Sequence, residues 1–151
     1  MDYNLLLEKL KNDNFPELKE TDIELKPTKI LGKTFMITLP FSKNIYYNYK
    51  IIKICNNKAL NAVLLHELYH IIQFKRLNLL QKLIFLPRYH LNNKFRKQHE
   101  IEAHTEVVKR GFGEELIELN KFVKERYPDK LWEKKISNYY LTEKEIKQLM
   151  Y

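Results

Sequence analysis

The feature that most constrains how this chain can fold is a pair of histidines, His66 and His70, inside the apolar segment NAVLLHELYHIIQ. On an α-helix, four residues bring two side chains to one face about one turn apart, so both imidazoles can reach a single metal ion. Two histidines and Glu67 would be costly to bury among leucines and isoleucines without a partner. The segment therefore predicts a buried helix that binds one zinc ion.

Glu67 follows the first of these histidines and completes the pattern HExxH. Its carboxylate is expected beside the open position of the metal. There it can take a proton from an activated water molecule and pass it to a leaving amine. We therefore predict that Glu67 is the general base of a hydrolytic site whose first two metal ligands are His66 and His70.

A catalytic zinc ion needs a third protein ligand. The metzincin pattern HExxHxxGxxH is excluded, because this chain has Gln73 and Arg76 where that pattern has glycine and histidine. Further along the chain, Glu100 and Ala103 in the segment HEIEAH have the spacing ExxA. A small alanine lets two helices approach closely, so the carboxylate of Glu100 can reach a metal held by the first helix.

The segment HELYHIIQF followed by EIEAH resembles the gluzincins, which are zinc peptidases with HExxH and a glutamate ligand on a second helix. It is especially similar to their minimal soluble forms, the minigluzincins, and to the catalytic domains of related membrane metallopeptidases. The resemblance covers about residues 45–110. It implies zinc on His66, His70 and Glu100, with Glu67 as the general base.

The same resemblance implies that a strand at about 49–55 lines the cleft, so that substrate can add to it as an antiparallel strand. One departure concerns the position four residues after the ligand glutamate, where relatives often have an aspartate and this chain has His104. His104 can orient a ligand histidine from outside the metal shell, or it can be the third ligand itself. His99 and Glu102 are further alternatives to Glu100.

The pattern of the whole chain predicts an α+β, zincin-like fold, with a small antiparallel or mixed sheet packed on the HExxH helix and a helical C-terminal half. No stretch resembles a linker, so residues 1–151 are expected to form one domain. Alternation of apolar and polar residues predicts two strands between Asp22 and Leu39 and a third over Tyr46–Cys55. Helices are predicted at about 2–12, 59–76 (with Asn57 as cap), 78–86, 94–110, 114–126, 130–138 and from Thr142, where Thr142 and Glu145 have capping-box spacing.

The composition limits function only weakly. The net charge of +8 comes from scattered lysines, which indicates a solvated basic surface and no clear nucleic-acid site. The only cysteine, Cys55, cannot form an internal disulfide and is expected to be a small core residue. The N-terminal residues lack the pattern of a signal peptide, and no apolar stretch reaches the ~20 residues of a spanning helix. A cytoplasmic location is therefore expected.

The apolar stretch Leu77–Leu91 is followed by Lys94, Arg96 and Lys97. We expect it to pack over the HExxH helix as core. Its alternative role is an apolar patch with a basic rim that contacts a membrane surface or an unfolded substrate. His90, within this stretch, is expected to be a surface histidine.

Several residues are candidates to donate a hydrogen bond to the oxyanion that forms during peptide hydrolysis: His90, Tyr89, Tyr139 and Tyr140.

The expected function is that of a zinc metallopeptidase acting on peptides or unfolded proteins. The C-terminal helix, from Thr142 to Tyr151, is expected either to fold back across the cleft and hold the enzyme latent or to pair two copies as a homodimer. The alternative function is a non-catalytic zinc module that regulates or binds nucleic acid.

Overall fold

The computed structural model describes residues 2–29, 31–127, 134 and 137–151. These residues have an α+β fold, as predicted, with a small mixed sheet near the N-terminus and helices over most of the remainder. The helix predicted at 130–138 lies largely outside the described residues. The strands are β1 (Leu25–Thr28), β2 (Met36–Thr38) and β3 (Ile45–Asn48). The helices are α1 (Tyr3–Asn14), a short 3₁₀ helix (Pro16–Leu18), α2 (Tyr49–Ile52), α3 (Asn57–Lys75), α4 (Leu79–Leu91), α5 (Asn93–Lys109), α6 (Gly113–Arg126) and α7 (Glu143–Met150).

Strand β3 lies at the centre of the sheet. It pairs in parallel with β1, where Leu25 is opposite Ile45, and antiparallel with β2, where Thr38 is opposite the same Ile45. Among the described residues, β2 is therefore an edge strand, and it packs against α3.

The third strand is shorter than predicted, and the strand expected at 49–55 is absent. The chain leaves the sheet at Asn48, whose side chain accepts a hydrogen bond from the backbone N–H of Lys50 and caps α2. The β-forming residues Ile51 and Ile52 are buried in this helical turn instead of in a strand. Burial and a polar cap thus override β propensity, which depends strongly on context.

Helix α3 carries the HExxH pattern and is the central helix of the fold. The side chain of Asn56 caps it by accepting a hydrogen bond from the backbone N–H of Ala59, one residue before the cap predicted at Asn57. Every residue from 62 to 74 is buried. A helix that is apolar on all faces needs neighbours on all sides, and α1, α5, α6 and β2 supply them.

Helix α4 differs from prediction in two ways. It runs through Pro87 to Leu91, although a stop at Pro87 was predicted. Pro87 and Leu83 both face solvent, so water can bond the carbonyl that proline leaves without a helical partner. Only Phe85 of this helix is buried, so the expectation that the stretch packs as core is wrong for most of its apolar side chains.

The C-terminal elements follow the prediction. Helix α5 ends at Lys109, and Gly111, just after its cap residue Arg110, has the positive φ of 90° that favours glycine after a helix. The capping box of Thr142 and Glu145 is present at the start of α7. Helix α7 packs against α5 and α6, with Ile146 fully buried. Within the described part of the chain, no helix combines the length and apolar character needed to cross a membrane.

Candidate active site

The two histidines of HExxH point at each other and at a glutamate of α5. The Nε2 atoms of His66 and His70 are 2.9 Å apart. The Oε2 atom of Glu100 lies 3.1 Å from the former and 3.7 Å from the latter. Helix α5 approaches α3 this closely beside Ala103, whose side chain is completely buried. The structure thus brings together three residues that are 34 positions apart at most in the sequence.

The spacing of these three atoms suits a zinc ion. Four ligands at ~2.0–2.1 Å in a tetrahedron lie about 3.3 Å from one another, close to the three distances observed. Two facing imidazole nitrogens share at most one proton, and the buried Oε2 atom of Glu100 has no hydrogen-bond partner among the described residues. A cation between the three atoms would satisfy all of them. Two histidines and one glutamate also form one of the ligand sets found at catalytic zinc sites.

The charged and titratable groups of this cluster shift one another's pKa values. Burial disfavours the charged form of His70, but the contact with Glu100 outweighs burial and raises the pKa of His70 to about 9. Burial likewise opposes ionisation of Glu100, yet its contacts with His66 and His70 hold the pKa of this carboxyl well below its usual range. The site therefore favours a buried carboxylate with positive charge beside it, which a bound metal cation could supply in place of the proton on His70.

Glu67 lies beside this cluster, and a residue of the sheet forms a hydrogen bond with its carboxylate. One of its carboxylate oxygens lies within 4.8 Å of a ring nitrogen of His66 and of His70. The hydroxyl of Thr38 on β2 donates a hydrogen bond to Glu67 Oε2 over 2.8 Å. Nothing in the sequence indicated Thr38, because its contact with Glu67 exists only after the sheet packs on α3.

Gln73, which departs from the metzincin pattern, holds the imidazole ring of His70 in place. Its Oε1 is 2.7 Å from His70 Nδ1, while its Nε2 donates to the backbone carbonyl of His99 and to Glu102 Oε2. Because the amide oxygen can only accept, Nδ1 of His70 carries a proton, so the nitrogen that can bind a metal is Nε2, after it has lost its own proton. The sequence does indicate that this contact is possible, because Gln73 follows His70 by three residues and therefore lies on the same face of the helix.

Tyr89 contacts Glu100. Its hydroxyl donates a short hydrogen bond to Glu100 Oε1, the oxygen turned away from the two histidines. Burial, followed by the negative charge of Glu100, raises the pKa of Tyr89. This tyrosine, a candidate oxyanion donor by sequence, thus orients Glu100 in the structure. Tyr139 bonds Asn93 instead.

The alternative third ligands occupy different places. Glu102 uses both carboxylate oxygens in hydrogen bonds, to Tyr69 and Arg76 on one side and to Gln73 on the other. The ring of His99 stacks on that of His70, with 4.8 Å between centroids. His104 is buried with its ring centroid 5.0 Å from that of His66.

Both His99 and His104 are kept in the neutral form. Burial, together with the positive charge of neighbouring histidines, lowers the pKa of His99 and of His104 to about 3. Nδ1 of His104 and Nε2 of His99 have no hydrogen-bond partner among the described residues. Of the predicted site residues, His90 stays on the exposed rim, as expected of a surface histidine.

A cavity of about 410 Å³ opens onto the cluster. This volume lies within the range of roughly 300–1,000 Å³ that is usual for ligand pockets. Strand β2, helices α3 to α6 and Tyr140 line it, and its walls are mostly apolar. The ring of Tyr140 stacks on that of His104 at 5.1 Å and lies 6.2 Å from that of His66. Cys55 lies outside the cavity and packs against the core.

Residues 19–127 match a family model whose description reads "Putative phage metallopeptidase". The matched region contains the HExxH helix, the edge strand β2 and Glu100 on α5. Comparisons with curated proteins and with solved structures give no match.

Proposed function

Because this chain belongs to the phage metallopeptidase family, we propose that it is a zinc-dependent peptidase of the gluzincin type that cleaves unfolded or extended polypeptides. The observation that carries this proposal is the convergence of His66, His70 and Glu100 within 3.7 Å of one another, with the carboxylate of Glu67 beside them. An isolated HExxH match would supply only two ligands and a base.

His66, His70 and Glu100 would hold the metal. When bound, zinc would supply a Lewis acid that polarises a peptide carbonyl and lowers the pKa of a water molecule. Tyr89 fixes the carboxylate of Glu100 from one side, and Gln73 fixes the ring of His70. The ligand atoms would therefore be oriented before the metal arrives, which lowers the cost of binding.

Glu67 would act as the general base. In this role its carboxylate takes the proton of the attacking water and donates it to the amine that leaves. The hydrogen bond from Thr38 leaves the other carboxylate oxygen of Glu67 free for this exchange. The substrate would lie along β2, whose edge away from β3 has no strand partner among the described residues and can bond an extended peptide as an antiparallel strand. In this proposal the substrate pairs with residues 36–38, because residues 49–52, within the strand expected at 49–55, are helical.

The C-terminal part supports a proposal of latency. The half-buried Tyr140 stacks on His104 and forms one wall of the cavity, so it would narrow access to the cluster. Pairing of two copies through α7 stays a prediction, and the buried face of α7 is already used against α5 and α6. The cytoplasmic location also stays a prediction.

The test of peptidase function uses Glu67→Gln, with Glu20→Gln at an exposed position as the matched control. We expect Glu67→Gln to keep zinc and to lose activity on a fluorescently labelled unfolded protein by about 10²–10⁴-fold, the usual contribution of a general base. The control should match wild type. Hydrolysis by Glu67→Gln at the wild-type rate would refute the role of Glu67. Zinc-loaded wild type without activity would favour a non-catalytic zinc module.

A further inference from the structure

Helix α4 presents its apolar face to solvent. Its inner side consists of Phe85 and Tyr89, which contact the site. The outward side chains are large, apolar and exposed: Leu79 (69%), Leu80 (66%), Leu83 (60%), Ile84 (47%), Leu86 (41%) and Leu91 (87%). At about 100° per residue these side chains form one continuous face. A surface helix normally has the reverse arrangement, so this face calls for a partner.

All charged residues in the surrounding sequence are basic. Residues 68–99 contain seven of the 27 basic residues and none of the 19 acidic residues, so about a fifth of the chain carries nearly the whole net charge of +8. On the helix, Lys82 and Arg88 fall on opposite edges of the apolar face. Within the described part of the chain, Lys82, Arg88 and Lys94 form no ion pair with a carboxylate. The charge at this face is therefore not neutralised internally.

We propose that α4 docks on the surface of an anionic lipid membrane. Its leucines would enter the boundary between headgroups and acyl chains, while Lys82, Arg88 and Lys94 contact lipid phosphates. An apolar helix face bordered by basic residues on both edges is complementary to such a surface. A second copy of the chain is a poorer partner, because symmetric pairing would bring two uncompensated basic stretches together.

The same helix connects this face to the catalytic site. Tyr89 on its inner side bonds Glu100, and Leu86 and His90 lie at the rim of the cavity. A docked α4 would therefore hold the cavity close to the membrane surface, where polypeptide segments near the bilayer would be the available substrates. This consequence for substrate choice rests on the proposed peptidase function. Membrane docking does not, because it involves none of the proposed ligands or Glu67.

Vesicle flotation with the purified protein tests the docking. We expect the protein to float with vesicles of equal parts phosphatidylcholine and phosphatidylglycerol, to remain in solution with pure phosphatidylcholine, and to dissociate as salt rises. The double variant Leu79→Gln and Leu83→Gln should bind about tenfold more weakly or worse, because both side chains would leave the apolar phase. The matched control is Leu5→Gln, whose exposed fraction on α1 equals that of Leu79 at 69%.

A second pair of variants tests the charges. Lys82→Gln with Lys94→Gln should weaken binding by about fivefold per lysine, whereas the control Lys43→Gln with Lys50→Gln should change it little. Equal flotation with both kinds of vesicle, or equal binding by the α4 variants and their controls, would overturn the proposal. The proposal would also be overturned if sedimentation showed that the wild-type protein is a dimer and that Leu79→Gln with Leu83→Gln abolishes this dimer. The partner of the apolar face would then be a second copy of the chain. The variant Glu67→Gln should bind vesicles as wild type does, so failure of docking and failure of catalysis are distinguishable.

Discussion

Thr38 donates a hydrogen bond to Glu67, with 2.8 Å between Thr38 Oγ1 and Glu67 Oε2. Both residues are buried, and 29 positions separate them in the sequence. The bond joins the edge strand β2 to the HExxH helix at the carboxylate that we propose as general base. The strand proposed to bind substrate therefore also orients the group that would move the proton.

Thr38→Val should reduce kcat by about tenfold and leave KM and zinc content nearly unchanged. Valine keeps the shape of threonine but removes the hydroxyl that holds the carboxylate, and a neutral-to-charged hydrogen bond contributes roughly 1.5–3 kcal/mol. Thr38→Ser retains the hydroxyl and should restore most of the activity. Steady-state kinetics of the two variants gives the comparison. An equal loss in both would indicate a packing role for Thr38.

The third zinc ligand is tested by Glu100→Gln and His104→Gln. Both side chains are buried on α5, so the two variants are matched in location. We expect Glu100→Gln to weaken zinc binding by more than about 100-fold, which exceeds the usual effect of losing a residue that only hydrogen-bonds to a metal ligand. We expect His104→Gln to weaken zinc binding far less. Competition with a zinc-binding dye measures both affinities. The reverse order would make His104 the ligand.

Gln73→Leu should lower zinc affinity by about 10–100-fold, the usual effect of removing the partner of a ligand histidine. Leucine fills the same space but cannot accept the proton on Nδ1 of His70, so the ring loses its preferred tautomer. Gln98→Leu, an exposed change on α5, is the control. The same dye competition applies, and an affinity equal to that of the control would argue against a positioning role.

Latency predicts that Tyr140→Ala raises kcat/KM several-fold on an unfolded protein. Removing the ring opens the cavity wall next to His104 but also costs stability, by less than the roughly 3–5 kcal/mol of a fully buried aromatic side chain because Tyr140 is half-buried. Thermal unfolding must therefore show that the variant is folded at the assay temperature. Tyr139→Ala, whose hydroxyl bonds Asn93, is the neighbouring control. A folded Tyr140→Ala variant without a gain in activity would contradict latency.

Burial raises the pKa of the Cys55 thiol to about 12. Only the thiolate reacts with alkylating reagents, so at pH 8 the folded protein should react roughly three orders of magnitude more slowly than the unfolded chain. The rate should rise about tenfold per pH unit as the pH increases below this pKa. Mass spectrometry after timed alkylation measures it. Rapid labelling at pH 8 with the protein folded would show an exposed thiol.

Much of the site was predictable because its geometry is local. The spacing of His66, Glu67 and His70 on one helix, the small residue at Ala103 and the Thr142–Glu145 cap all depend on helical periodicity, which a sequence displays directly. Glu100 was a prediction from a resemblance and from the ExxA spacing. Its closeness to the histidines follows from the packing of α5 on α3.

Other features were decided only by the tertiary structure. The strand expected over 49–55 became a capped helical turn, because burial of Ile51 and Ile52 outweighed their β propensity. Helix α4 turned its apolar side outward, which no hydrophobic pattern can indicate, since a pattern shows that a face is apolar but not what lies opposite it. The sequence by itself therefore determined which side chains share a helix face. The approach of β2 and α5 to that face, and hence the contacts of Thr38 and Glu100, arose only when distant elements packed together.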